Sequence, residues 1–316
     1  MKKILVTGAS GFFGKSVLRA LHRRKTDDQF ICLGHTRVFP PLDHRFVWEH
    51  VNLLDAQASA RLMEKYKPSH VIHLAWYVVH GRFWHAPENV DWLKATIDLF
   101  DAFCAQGGQH FLGAGTLFEY DLFADPLDES APIASQTLYG EAKAATYRLL
   151  LQKQKRLASR LALQWLRIGY FFGEEEPPQK FLSLMVAKMV RQEDIHAVSR
   201  TSLRDYGHVD ILGEAISHLV DRPEDMVLNV SGGGHQTLGE IIDSVAQQLA
   251  YKRPILYGAY TPPAHEPENI QPNLSKLRAL LGEMPGQQDF QTRLSLFVQH
   301  KTNEITQGKS CERGQA

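Results

Sequence analysis

Cysteine is scarce in this chain. Three are present, Cys32, Cys104 and Cys311, and none stands at the spacing of a metal-ligand set or a disulfide framework. A scaffold built on metal or disulfides is excluded on that count. A reducing cytoplasm is the simple inference, with Cys104 read as a small buried apolar group in a helix. Net charge is also missing. The 35 Lys and Arg balance the 35 Asp and Glu, so nothing points to nucleic acid or an anionic membrane surface as a partner. No apolar run is long enough to span a bilayer. Residues Met1 to Val6 open like a signal peptide, but the apolar stretch is short and Thr7-Gly8 interrupts it, which reads as a first strand.

What the chain does have is a glycine-spaced turn after that strand. Val6 to Gly14 read V-T-G-A-S-G-F-F-G. Gly8 allows a tight turn, Gly11 leaves room for backbone to approach a pyrophosphate, and Gly14 lets the next helix pack against the strand. Lys15 to Arg24 fit an amphipathic helix whose N-terminus offers free N–H groups to an anion. Such a turn, in this context, predicts a dinucleotide site.

At 316 residues the chain can bury a sizeable core in one or two domains. Apolar strand patterns at 30–34, 46–53, 71–75, 111–115 and 162–168 alternate with helical patterns at 58–66, 91–106 and 139–155. That alternation predicts an α/β fold, a doubly wound parallel (Rossmann) sheet with ligands outside the carboxyl ends of its strands. After Gly173 the pattern changes. A helix is expected over 181–191, a strand over 227–230 and a helix over 237–249, with Thr237 and Glu240 spaced as a capping box. The stretch 254–272 reads as proline-rich and irregular. The expected division is a Rossmann domain over 1–172 and 202–231, a smaller mixed α/β substrate-binding lobe over 173–201 and 232–300, and a flexible polar tail over 301–316.

Tyr139 and Lys143 stand at i and i+4, on one face of a helix. A free tyrosine titrates near ~10. Bringing it to neutrality takes ~4 kcal/mol, the order of what one ammonium supplies at ~4 Å and an effective dielectric of ~20. The plain alternative is a packed tyrosine beside a solvated lysine. Thr116 ends the strand at 111–115, on the edge that also carries the glycine turn, where its hydroxyl can bond a carbonyl that Tyr139 protonates.

These pieces resemble the extended short-chain dehydrogenases/reductases that act on nucleotide-linked sugars. The matching segments are T-G-A-S-G-F-F-G at 7–14, H-L-A at 73–75, G-T-L-F-E-Y at 115–120, Y-G-E-A-K at 139–143, R-D-Y-G-H-V-D at 204–210 and L-N-V-S-G-G-G at 228–234. The resemblance implies a catalytic triad of Thr116, Tyr139 and Lys143, with Lys143 also holding the nicotinamide ribose. It implies cofactor contacts from Gly8, Ser10, Gly11, Phe12, Phe13, Gly14, Asn52, Leu53, Leu74 and Ala75. His73 itself reads as a satisfied strand-end histidine. Arg204 matches an arginine that binds the substrate's diphosphate, its alternative being a surface pair with Asp205; His265 is a weak second candidate. No metal site is implied. The long helices at 91–106 and 139–155 imply a homodimer through a four-helix bundle.

The departures from the family pattern narrow the reading. Asn52 replaces an aspartate that accepts from the adenine amino group. The second strand ends Leu33-Gly34-His35-Thr36-Arg37, with no acid to bind a ribose 2′-hydroxyl. His35 and Arg37 therefore favour NADP(H), with NAD(H) as the alternative. Leu117-Phe118 stand where the family's dehydratases carry an Asp-Glu pair, which counts against elimination of water. Tyr170 stands where some epimerases have a substrate-binding asparagine, and Phe172-Gly173-Glu174 replaces Tyr-Gly-Pro. The expectation is an NADP(H)-dependent reductase of a nucleoside-diphosphate 4-keto-6-deoxy sugar, similar to reductases and epimerases of surface-polysaccharide biosynthesis. The rivals are an NAD-dependent 4-epimerase using the same triad and a non-catalytic NAD(P)-binding sensor.

Overall fold

The computed structural model describes residues 1–34, 39–157, 160–234, 236–259, 265–282 and 290–313. The chain divides into two compact units, Met1–Gly169 with Leu212–Val230 and Asn273–Met284, and Tyr170–Ile211 with Ser231–Pro272 and Pro285–Ala316.

The first unit begins with β1 (Lys3–Thr7), α1 (Phe12–His22), β2 (Gln29–Gly34), β3 (Phe46–His50), α2 (Ala56–Tyr66), β4 (His70–His73), α3 (Glu88–Ala105), β5 (His110–Thr116), α4 (Leu138–Gln154) and β6 (Ala162–Ile168). The chain continues through β7 (Tyr170–Phe172), α5 (Phe181–Val190), β8 (Ile195–Ala197), β9 (Tyr206–His208), α6 (Asp210–Leu219), β10 (Met226–Val230), α7 (Leu238–Gln248), β11 (Ile255–Tyr257), α8 (Ser275–Leu281) and α9 (Phe290–Arg313).

Among the described residues, seven strands form one sheet in the order β10-β6-β5-β4-β1-β2-β3. Every neighbouring pair is parallel. Strands β5 and β6 are buried at every residue, as apolar strands covered on both faces must be. Leu5, Val71, Phe111, Leu163 and Trp165 share a core with Leu99, Phe100 and Phe103 of α3 and Leu150 of α4. Strand order reverses direction between β1 and β4, where the register pairs Thr7 with His73. That is the switch point of a doubly wound sheet, and a ligand site forms there outside the carboxyl ends.

The second unit packs Phe172, Val186, Met189, Ile241, Val245, Leu294 and Phe297 into a core of its own. Its two short sheets pair β7 with β9 and β8 with β11. The capping box is present at α7. Thr237 accepts from the Glu240 N–H at 3.1 Å, and the Glu240 carboxylate accepts from the Thr237 N–H at 2.8 Å.

Five expectations need correction. The return to the large unit comes at Leu212, not at residue 202, because β9 pairs with β7 in the second unit. Asn273 onward rejoins the first unit, where the Asn273 N–H donates to the Leu127 carbonyl at 2.8 Å. The stretch 254–272 contains β11, which pairs with β8. The tail from Lys301 is helical to Arg313, not frayed. Leu294, Phe297, Val298, Lys301 and Ile305 recur at helical spacing on one face. Lys301 is buried along its stem, with its ammonium on Glu304 at 3.0 Å. Cys104 lies on α3 as expected but is only half-buried. No described helix is long and apolar enough to cross a membrane.

Candidate active site

The glycine turn leaves β1 at Thr7. Gly8 has φ +66°, and a Cβ there would lie 2.8 Å from the Ala75 nitrogen. A Cβ on Gly14 would lie 2.2 Å from the Gly8 carbonyl oxygen, so α1 packs directly on the turn. Gly11 differs. Its Cβ would meet only the Gly8 oxygen, at 3.2 Å, and its other side is open. Gly11 caps α1 without a side-chain bond, and the first turn of α1 carries no acidic residue. Open backbone beside an uncapped helix start fits a dinucleotide pyrophosphate. The Phe12 and Phe13 rings follow, 5.4 Å apart, and Ser10 lies between the first two glycines.

Thr7 ties this turn to β4. Its hydroxyl oxygen accepts from the Leu74 and Ala75 N–H groups, each at 3.1 Å. The Thr7 proton is therefore left for His73 Nδ1, 2.8 Å away. That fixes the tautomer: His73 Nε2–H donates to Thr96 Oγ1 at 2.9 Å, and Thr96 donates to the Trp92 carbonyl at 2.8 Å. Burial, with the Lys143 charge adding to it, pushes the imidazole down to about 3. His73 is thus a neutral, fully bonded strand-end residue that fixes the backbone of Leu74 and Ala75. Where the resemblance implies adenine contacts, exposed Asn52 turns its oxygen to the Leu54 N–H at 3.1 Å, and Leu53 joins the core. His35 and Arg37 lie outside the described residues.

The structure brings Thr116 and Tyr139 together. Thr116 ends β5 and is buried. Tyr139 is in the first turn of α4, which Thr137 caps through the Gly140 N–H at 3.1 Å. The Tyr139 N–H donates to the Trp84 carbonyl at 3.0 Å. Its ring meets the Phe83 ring edge-on at 5.0 Å, and the Trp84 ring at 6.0 Å; Trp84 in turn packs on Phe118 at 4.6 Å. Burial among these rings pushes the phenol's pKa up, and the Thr116 side chain beside it pulls the other way.

Lys143 meets partners that the sequence did not name. The ammonium was expected to lie against the phenol and acidify it. Instead Lys143 Nζ donates to the Ala114 carbonyl at 2.6 Å and stands 3.8 Å from the centre of the Trp76 ring. Burial lowers its pKa to about 7, opposed by the Glu119 carboxylate. The charged partner that Lys143 meets is Glu119, so desolvation, not the ammonium, dominates at Tyr139.

Sequence reasoning missed the network beneath Thr116. Glu119 is fully buried, and its Oε1 accepts from the Thr116 N–H and Trp165 Nε1, both at 2.9 Å. Its Oε2 accepts from Arg167 Nε at 2.9 Å. Arg167 also donates to the Tyr120 hydroxyl, which donates to Asn229, each at 2.8 Å. The signal was present as T-x-x-E at 116–119, which is a capping box here.

Arg204 belongs to the second unit and is buried. It donates to the Leu203 and Glu268 carbonyls, and its guanidinium lies 3.6 Å from Glu266. The alternative of a surface pair with Asp205 is corrected: buried Asp205 accepts from the Gly233 and Gly234 N–H groups at 3.0 and 2.8 Å. Burial raises the Tyr170 phenol well above the ordinary value, with the Glu266 charge adding to it and Arg204 opposing. His265 is half-buried, next to Glu266. Among the described residues, no group of three or more His, Cys, Asp or Glu could hold a metal ion.

A family model described as the NAD dependent epimerase/dehydratase family matches residues 4–231. The chain belongs to this family, in the extended short-chain dehydrogenase/reductase group that acts on nucleotide sugars. It is 24% identical over 323 residues to the dTDP-glucose 4,6-dehydratase of Neisseria gonorrhoeae, covering 90% of this chain and 91% of the relative. It is 23% identical over 254 residues to the dTDP-6-deoxy-L-talose 4-dehydrogenase (NAD(+)) of Aggregatibacter actinomycetemcomitans, covering 76% and 88%. Its fold is similar to that of the UDP-glucose 4-epimerase of Thermotoga maritima, with a TM-score of 0.81 at 20% identity over 96% of this chain and 99% of that one.

Proposed function

We propose that the chain reduces a nucleoside-diphosphate 4-keto-6-deoxy sugar, with Tyr139 as proton donor and NADP(H) as the preferred cofactor. The observation that carries this reading is the state of Tyr139. Its ring packs on the Phe83 and Trp84 rings with Thr116 beside its phenol, burial raises its pKa, and the Lys143 ammonium donates to the Ala114 carbonyl. A reductase needs an acid that keeps its proton until negative charge develops on the substrate oxygen. A 4-epimerase must start by removing a proton from a hydroxyl, which needs the phenolate.

A bound nicotinamide dinucleotide supplies the hydride. The turn from Gly8 to Gly14 would hold its pyrophosphate, Asn52 and Leu53 would flank the adenine, and Leu74, Ala75 and Lys143 would hold the nicotinamide end. Thr116 orients the keto oxygen by donating to it. Tyr139 Oη gives its proton to that oxygen, and the positive charge of Lys143, one turn along the same helix, favours the phenolate left behind. Leu117 and Phe118 offer no acid or base for elimination of water. The Phe83, Trp84 and Phe118 rings suit a methyl group next to the reacting carbon better than a hydroxymethyl or carboxylate. Arg204 would take the substrate's diphosphate. The NADP(H) preference rests on His35 and Arg37 in a segment without an acid. A homodimer is supported by α3 and α4, which carry exposed Val90 and Leu149.

Stoichiometry tests the reading. Incubation with a nucleoside-diphosphate 4-keto-6-deoxyhexose and NADPH is expected to oxidise one NADPH per sugar reduced. Sugar conversion without net cofactor consumption identifies the 4-epimerase instead, and dinucleotide binding with no turnover identifies the sensor.

A further inference from the structure

Trp76 carried no role in the sequence, yet it is tied to the lysine of the triad. It follows Ala75 in the loop after β4 and is buried. Its Nε1–H donates to Asn89 Oδ1 at 2.8 Å. Asn89, fully buried near the start of α3, donates its amide to the Phe83 and Ala86 carbonyls at 2.7 and 2.9 Å. The indole cannot swing away without breaking the bonds of a buried amide, which is costly. Its face is presented to Lys143 Nζ, 3.8 Å from the ring centre.

An ammonium has three N–H groups and loses its hydration when buried. The Ala114 carbonyl accepts one of them. The π face of an indole, the most negative of the aromatic side chains, replaces part of the lost hydration. The charged and titratable groups around Lys143 are Glu119 from the turn after β5, which favours the ammonium, His73 from the end of β4, which Lys143 keeps neutral, and Tyr139 on the same helix.

We propose that Trp76 is a positioning residue for Lys143: its indole face seats the ammonium at the Ala114 carbonyl, and Asn89 locks the indole. This rests on the proposed function, in which the Lys143 charge favours the phenolate that Tyr139 leaves after giving up its proton. The seat keeps the lysine charged inside the site.

The test follows the ε-carbon resonance of Lys143 with pH in the whole protein, assigned by its loss in Lys143→Met. The expected midpoint in the unaltered chain is about 7. Trp76→Leu removes the ring and is expected to lower the midpoint by about one pH unit, a tenfold change in the protonation equilibrium. Trp76→Phe, which keeps a weaker π face and a similar volume, is expected to fall between the two. In turnover of the keto sugar, Trp76→Leu is expected to lose about tenfold in kcat with KM of the sugar within about twofold, and Trp76→Phe to restore most of it. A midpoint that is the same in the unaltered chain, Trp76→Phe and Trp76→Leu overturns the proposal. Expected midpoints in a protein that reduces no keto sugar leave the seat standing and remove the functional reading.

Discussion

The Lys143 ammonium donates to the Ala114 carbonyl at 2.6 Å, although Tyr139 lies one turn away on the same helix. The ammonium is thus held by Ala114 and Trp76, while the Tyr139 phenol lies beside Thr116 and against the Phe83 ring. In the proposed reaction the proton waits on Tyr139, and the Lys143 charge one turn along the helix favours its departure.

Thr116→Val removes the hydroxyl beside the phenol, which in the proposed reaction bonds the keto oxygen. The expected result is a fall in kcat of about 100-fold or more with dinucleotide affinity unchanged. Thr116→Ser is expected to recover most of it. Steady-state kinetics and calorimetric titration of the dinucleotide check the two halves separately.

The glycines separate packing from binding. Gly14→Ala places a methyl 2.2 Å from the Gly8 oxygen and 2.6 Å from the Ala9 Cα. It is expected to destabilise the fold by about 2 kcal/mol or more in urea unfolding. Gly11→Ala meets one oxygen at 3.2 Å and is expected to leave the unfolding midpoint nearly unchanged. Its methyl fills the open side of the turn, so dinucleotide affinity is expected to drop about tenfold or more.

Glu119→Gln leaves the buried Arg167 guanidinium without its carboxylate. Breaking a buried pair from one side costs about 3–5 kcal/mol. Urea unfolding is expected to show a loss of that size, and Glu119→Gln combined with Arg167→Met is expected to lose less than the single change.

The sheet and the glycine turn were legible because their signals are local. Three glycines fall at fixed spacing after a strand, and apolar runs such as Ala162 to Ile168 are bounded by helical patterns. Thr116, Tyr139 and Lys143 were singled out through the family resemblance, and Thr116 and Tyr139 do lie side by side. Their electrostatics were not, because the partners come from far along the chain: Glu119 and Arg167 are 48 residues apart, and the seat for Lys143 is Trp76 in another loop. The tail was misread because Lys301 looks like a solvated residue until its stem is buried beside Phe297 and Ile305.

Acid is expected to destabilise the fold through buried histidines. His70 and His110 lie on neighbouring strands with ring centres 5.2 Å apart. Burial, with the charge of His110 adding to it, lowers His70 to about 4, and burial also lowers His110. Unfolded, each titrates near ~6.5. Between those values the unfolded chain binds protons that the folded chain does not, so stability falls as pH drops from about 6.5 to about 4. His70 alone contributes roughly 3 kcal/mol of this loss. Urea midpoints measured from pH 7 to pH 4.5 are expected to fall steeply, and the slope is expected to be shallower in His70→Asn.

The most direct measurement is a single turnover of the keto sugar with NADPH by the unaltered chain and by Tyr139→Phe, followed by loss of absorbance near ~340 nm. Removing the proton donor is expected to slow hydride transfer by at least ~100-fold while the dinucleotide still binds. Equal rates in the two proteins would contradict the assignment of the Tyr139 phenol as the acid.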